Sequence, residues 1–223
     1  MNNVKSFKDN GYLIIPKILS RELLDFIGRH AYNRARIEDG AWMQDPQAPN
    51  TPSFACDYVM ENLSDFLLPK IESTTGMKLL PTYTYYRVYK SGDILEKHTD
   101  RLSGEIAISL SLRKEGKIWP IYVNNTDYKT KKSDKVEFTY QEELSAKEML
   151  ESMHKEHIED TTSILLEEGD AVIYKGCEIV HWREPYNEGT KLAQVFLNYV
   201  DANGNFTEWE NDKQPLKYFA VDK

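Results

Sequence analysis

The chain has 223 residues, 40% of them hydrophobic and 29% charged, with a formal net charge of -8. That length and apolar content suffice to bury a core, while the acidic balance argues against extended contact with a nucleic-acid backbone. Two cysteines, Cys56 and Cys177, exclude a disulfide framework and a thiolate zinc site, and they are expected to be buried free thiols.

Residues 1–8 are polar and charged with no apolar run behind them, and nothing approaches the roughly 18 apolar residues of a membrane helix. A soluble, cytoplasmic protein without a membrane partner is expected. The run Gly11 to Ile15, stopped by Pro16, predicts a short buried strand, and Ser20 is placed to cap a helix carrying Leu23, Leu24, Ile27 and Ala31. Asp39 to Phe54 is rich in Pro, Asn, Gly and Asp and predicts a loop long enough to border a site. Leu63, Phe66, Leu67 and Ile71 recur at helical spacing up to Gly76, with Pro69 expected to shorten or kink that helix.

Beyond Leu80 the pattern turns to β. Strands are predicted at Thr82 to Tyr89, Leu95 to His98, Glu105 to Leu112, Ile118 to Val123, Val136 to Tyr140, Ser163 to Leu166, Ala171 to Tyr174, Glu178 to Trp182 and Leu192 to Val200. Many short strands with tight turns such as Glu168-Gly169-Asp170 indicate a sandwich or barrel. A capping box, Ser145 to Glu148, opens a helix with Met149, Leu150 and Met153 on one face, so Asn124 to Asp160 reads as an excursion between strands. Lys129, Lys131, Lys132 and Lys135 within it read as a solvated loop. The simplest organisation is a single domain over 1–223: an N-terminal strand with supporting helices over 1–80, a β core over 81–200 and a tail over 201–223.

The chemistry concentrates in three places. His98 and Asp100 are one residue apart, so on an extended strand they point the same way. His181 lies in the mostly apolar run Ile179 to Arg183, where an imidazole needs a hydrogen-bond partner or a metal. Two imidazoles and one carboxylate form the facial set that leaves open positions on a non-haem ferrous ion. Lys191, ten residues after His181, is a candidate cation for the far carboxylate of a bidentate 2-oxo acid such as 2-oxoglutarate. Arg183 shares the strand face of His181 and is a candidate contact to substrate, cofactor or Asp100, a surface salt bridge being the alternative. His154 and His157 share a helix face but lack the flanking glutamate and third ligand of a zinc hydrolase.

The run from Tyr89 through Gly92 to His98 and Asp100, followed by His181 and Lys191, resembles the iron(II)/2-oxoglutarate-dependent dioxygenases of the prolyl 4-hydroxylase-like branch, over roughly Thr82 to Val200. The resemblance implies a mainly β fold with supporting helices, a double-stranded β-helix of the jelly-roll or cupin-like kind with N-terminal α/β elements. It implies His98, Asp100 and His181 as metal ligands and catalytic residues, Lys191 as the 2-oxoglutarate anchor and Tyr89 as a further co-substrate contact among the neighbouring Tyr83, Tyr85 and Tyr86. The cofactor set would be Fe(II), 2-oxoglutarate and O2, with ascorbate as a candidate reductant. Because Asp100 keeps the carboxylate that related halogenases replace, hydroxylation is the expected outcome. Leu95, where the branch often has an aromatic residue, and Glu115 to Pro120, where it has a glycine-rich turn, put prolyl specificity in doubt. The partners would be 2-oxoglutarate and a small-molecule or protein-residue substrate. A jelly-roll protein that holds a metal or small acid without turnover is the alternative.

Overall fold

The computed structural model describes residues 3–37, 45–49, 51–125 and 161–213. The strand expected at Val136 to Tyr140, the helix after Ser145, the basic run and the pair His154 and His157 lie outside them.

The chain opens with a helix that the sequence did not announce, α1 (Asn3–Asn10), whose only fully buried side chain is Phe7. Val4 and Phe7 alone in a charged octapeptide are too few to set a readable period, so its helicity rests on docking against α3 (Tyr58–Thr75). The strand β1 (Tyr12–Ile15) follows at its expected place, although only Ile15 of it is buried and Ile14 is exposed, and helix α2 (Arg21–Arg34) follows as expected, with the Ser20 hydroxyl accepting from the Leu23 amide at 3.3 Å. β2 (Ser53–Ala55) pairs with the next long strand and so corrects the end of the expected loop.

Pro69 neither shortens nor breaks α3, which runs on to the left-handed cap Gly76 at φ 73°. Leu63, Leu67 and Ile71 are buried as the spacing predicts, whereas Phe66 is exposed. Asp57 caps α3, accepting from the amides of Val59 at 2.9 Å and Met60 at 3.3 Å, and its other oxygen lies 2.8 Å from His30 Nε2 on α2. This accounts for His30 as a tie between helices. Replacing Asp57 with Ala removes the cap and the tie together and is expected to lower stability by about 1–2 kcal/mol, measured by urea denaturation.

Two sheets make the body. The larger has the order β1–β8–β5–β10–β3–β2 and the smaller β4–β9–β6–β7, all neighbours antiparallel. Their remaining strands are β3 (Leu79–Lys90), β4 (Leu95–His98), β5 (Ile106–Gly116), β6 (Ile121–Asn124), β7 (Thr161–Ile164), β8 (Ala171–Tyr174), β9 (Val180–Arg183) and β10 (Gly189–Asp201). Among the described strands, β3 to β10 divide four and four between the two sheets in jelly-roll fashion, with β6 and β7 paired in the smaller one, and β1 and β2 extend the two edges of the larger.

Period-two alternation then sorts the side chains. On β10, Ala193, Val195, Leu197 and Tyr199 face α2 and α3 in one apolar cluster with Leu24, Ile27, Leu67 and Ile71. Leu192 and Phe196 face the other way, into the barrel with Tyr89, Leu95, Trp119 and Tyr186. A second interior cluster joins Ala107, Val123, Val172, Tyr174 and Ile179. Contrary to expectation neither thiol is buried: Cys56 is exposed and Cys177 partly so. Among the described residues no helix is long and apolar enough to cross a membrane.

Candidate metal and acid-binding site

β4 and β9 pair across the smaller sheet with His98 directly opposite His181, so two residues 83 positions apart become cross-strand neighbours with ring centroids 4.2 Å apart. Two backbone carbonyls fix the rings. His98 Nδ1 lies 2.7 Å from the Glu96 oxygen and His181 Nδ1 3.0 Å from the Ile179 oxygen. A carbonyl only accepts, so each Nδ1 carries the proton and each Nε2 keeps its lone pair, the tautomer a metal requires.

Both Nε2 atoms turn toward Asp100, each 3.7 Å from Oδ1, too long for hydrogen bonds but suited to sharing an ion. The three ligand atoms all lie within 4.8 Å of one another. Burial pushes the Asp100 carboxyl up, opposed by His181, Arg87 and Arg101. A divalent cation would supply the positive charge this buried carboxylate calls for, and the nitrogen–oxygen donor set fits iron, nickel or zinc.

Asp100 is held by backbone. Its amide donates to the Gly176 carbonyl at 2.8 Å, and the Gly176 amide donates to the Glu105 carbonyl at 3.0 Å. A Cβ added at Gly176 would meet the Gly104 oxygen at 2.2 Å and Asp100 Oδ2 at 2.4 Å; one at Gly104 would meet Asp100 Cβ at 2.9 Å. Only bare backbone lets the loop after β8 close over the carboxylate.

Arg183 lies two residues beyond His181 on the same inward face of β9, roughly 6.6 Å further along the strand. The surface salt bridge allowed for it does not form: the residue is 2% exposed. It donates to the Trp119 carbonyl and sits over the Trp119 ring, yet among the described residues its Nε is buried without a partner and no carboxylate neutralises it. Burial therefore pulls its pKa down to about 10, with Tyr89, Tyr174 and Tyr186 opposing. A buried guanidinium lacking an anion marks a place where an anion belongs. Gln194 Oε1 and Ser111 Oγ, on register-paired positions of β10 and β5, are likewise buried without partners. Three orphaned polar atoms inside the barrel suit a buried polar ligand better than a dry core.

Tyr89 is fully buried in the interior cluster, its ring edge-on to Trp119 at 4.9 Å. Its hydroxyl accepts from Arg87 Nη1 at 3.2 Å, which leaves its own proton to donate. Arg87 also binds Ser53 Oγ at 3.1 Å and pairs with Asp45. Burial disfavours its charge, but Tyr89, Tyr85 and Asp45 outweigh that and hold it protonated. Sequence reasoning passed over Arg87, although the alternation Tyr85, Arg87, Tyr89 places it on the inward face.

Lys191 does not join the site. It falls on the face of β10 that looks toward α2, with a side chain 53% exposed, 3.7 Å from Glu115 and 5.8 Å from the Tyr32 ring centroid. One position of strand parity separates it from the interior. Thus the structure brings together His98, Asp100, His181, Arg183 and Tyr89, and leaves Lys191 outside.

This topology is a double-stranded β-helix, with His98, Asp100 and His181 on β4, the turn after it and β9. Among solved structures the chain is similar to SnoN, a non-heme alpha-ketoglutarate-dependent epimerase from nogalamycin biosynthesis, at 11% identity over 89% of this chain and 82% of that one, TM-score 0.67. HygX from Streptomyces hygroscopicus, with nickel and 2-oxoglutarate bound, is similar at 11% identity over 90% and 87%, TM-score 0.62. A Pseudomonas putida prolyl-4-hydroxylase matches at 12% identity over 89% and 98%, TM-score 0.59. The sequence matches no family model and no curated protein. At these identities the likeness establishes the fold.

Proposed function

We propose that the chain is a non-haem iron(II)- and 2-oxoglutarate-dependent oxygenase acting as a hydroxylase. The observation that carries this reading is the pair of imidazoles with carbonyl-locked Nδ1 atoms and both Nε2 atoms turned on one buried carboxylate. His98, Asp100 and His181 would hold the metal. Bound together, iron and 2-oxoglutarate supply an oxidant from O2 and release succinate and carbon dioxide.

The protein's share is position and dryness. Arg183 takes the far carboxylate of the diacid, replacing Lys191 in that role, and Tyr89 donates a second hydrogen bond. The orphaned Arg183 Nε and the one-strand-step offset from His181 support this assignment. Substrate would enter past Tyr83 and Tyr85, which face inward on β3 yet remain partly exposed, next to Asp100. Relatives in fold were solved with nogalamycin RO and with hygromycin B, which favours a small molecule over a protein residue. Membership of the prolyl 4-hydroxylase-like branch is supported by the fold likeness to the Pseudomonas enzyme and by the spacing of the ligands.

Aerobic succinate formation from 2-oxoglutarate, dependent on added ferrous iron, tests the reading. Wild type is expected to turn over slowly even without substrate, and His98→Ala to lose both iron binding and succinate formation. Metal and 2-oxoglutarate binding without succinate, in the presence of O2 and ascorbate, would leave the non-catalytic binding protein as the correct account.

A further inference from the structure

Tyr174 ends β8 inside the barrel, 1% exposed, with Ala107, Val123, Val172 and Ile179 around it. A buried phenol in apolar company needs an acceptor. Among the described residues the hydroxyl has one, His181 Nε2 at 3.4 Å, longer than a good hydrogen bond. The two rings lie 4.6 Å apart between centroids at 53°.

That acceptor is the same lone pair the metal would take. Since His181 Nδ1 is committed to the Ile179 carbonyl, Nε2 cannot serve the hydroxyl and a metal at once. Loading the site therefore deprives Tyr174 of its partner while leaving its proton a few ångströms from the ion. The hydroxyl also lies within electrostatic reach of Arg183.

We propose that Tyr174 is a further co-substrate-binding residue, whose hydroxyl leaves His181 Nε2 on metal loading and donates to the metal-side oxygens of the bound 2-oxo acid. The proposal rests on the 2-oxoglutarate reading above and extends it to a residue outside the ligand trio and the Arg183 subsite. It explains why the position holds tyrosine although its surroundings would accept phenylalanine. No proton need be lost, because burial keeps this phenol well above its ordinary pKa.

Calorimetric titration of Mn(II), and then of 2-oxoglutarate into the Mn(II)-loaded protein, tests this with Tyr174→Phe, which removes only the hydroxyl. Expected are an unchanged melting temperature, Mn(II) affinity within about twofold of wild type, and 2-oxoglutarate affinity lowered about five- to tenfold, the size of one neutral hydrogen bond. Equal 2-oxoglutarate affinity in the two proteins would overturn the proposal. So would a fall of more than tenfold in Mn(II) affinity, which makes the hydroxyl a metal ligand or a brace for His181. Wild-type protein that takes Mn(II) but no 2-oxoglutarate refutes the co-substrate reading itself, an outcome visible before the variant is compared.

Discussion

Arg183→Met is expected to abolish measurable 2-oxoglutarate binding while making the ligand-free protein more stable. Two opposed effects meet at one guanidinium. In the ligand-free barrel it is buried, with an orphaned Nε and no carboxylate beside it among the described residues. Its pKa of about 10 lies below the ordinary arginine value, so the folded chain holds this proton less tightly than the unfolded chain. The sign follows: the cost of the charge is fully present below pH 10 and disappears only as pH rises beyond it. At 1.36 kcal/mol for each pH unit, that cost at pH 7 is on the order of 3 kcal/mol. Methionine has similar length and no charge, though it leaves the Trp119 carbonyl without its donor. A net gain of about 1–2 kcal/mol is expected, seen as a rise of roughly 2–6 °C in melting temperature.

Binding should move the other way. Losing one member of a buried charge pair costs about 2–5 kcal/mol, hence at least a 30-fold fall in 2-oxoglutarate affinity by calorimetry. The thermal shift that 2-oxoglutarate gives wild type should vanish with it. Lys191→Met is the matched control: an exposed ammonium facing Glu115 contributes little, and affinity should change by less than about twofold. A loss in Lys191→Met equal to that in Arg183→Met would return the anchor to β10.

Gly176→Ala is expected to cost the metal site as much as removing a ligand. The added methyl group would sit 2.2 Å from the Gly104 carbonyl and 2.4 Å from Asp100 Oδ2, both inside any tolerated contact. No left-handed backbone is at issue here, so the effect is steric and local. Either the loop after β8 retreats, breaking the Asp100 amide bond to the Gly176 carbonyl, or the carboxylate swings away from the two Nε2 atoms. Both routes separate Asp100 from His98 and His181. Mn(II) affinity should fall about 10- to 100-fold, the usual consequence of disturbing the groups that orient a metal ligand. The fold should persist, with cooperative unfolding and an unchanged far-ultraviolet dichroism spectrum. Mn(II) affinity equal to wild type would show that Asp100 does not depend on this cradle.

What the sequence disclosed about the fold was set by local rules. Short or alternating apolar runs located β1 and β3 to β10 within a few residues, and β4 and β8 fall at the predicted bounds. Ser20 and Gly76 marked helix ends because capping is a matter of one or two residues. Pro69 misled the reading, since α3 runs through it to Gly76. α1 and β2 stayed hidden because each is short and depends on a distant partner.

The site divides along the same line. His98, Asp100 and His181 were legible because one spacing puts a carboxylate beside an imidazole and one apolar strand isolates a second imidazole. Which cation faces the barrel interior was not legible. Lys191 and Arg183 both sat at plausible distances along the chain, and the choice turned on which face of β9 or β10 points into the barrel. The sequence by itself determined the alternation of faces and the chemical types available at each. Only the tertiary structure decided which face is interior, which glycine touches Asp100 and which hydroxyl reaches His181, because those are contacts between strands that the chain brings together from far apart.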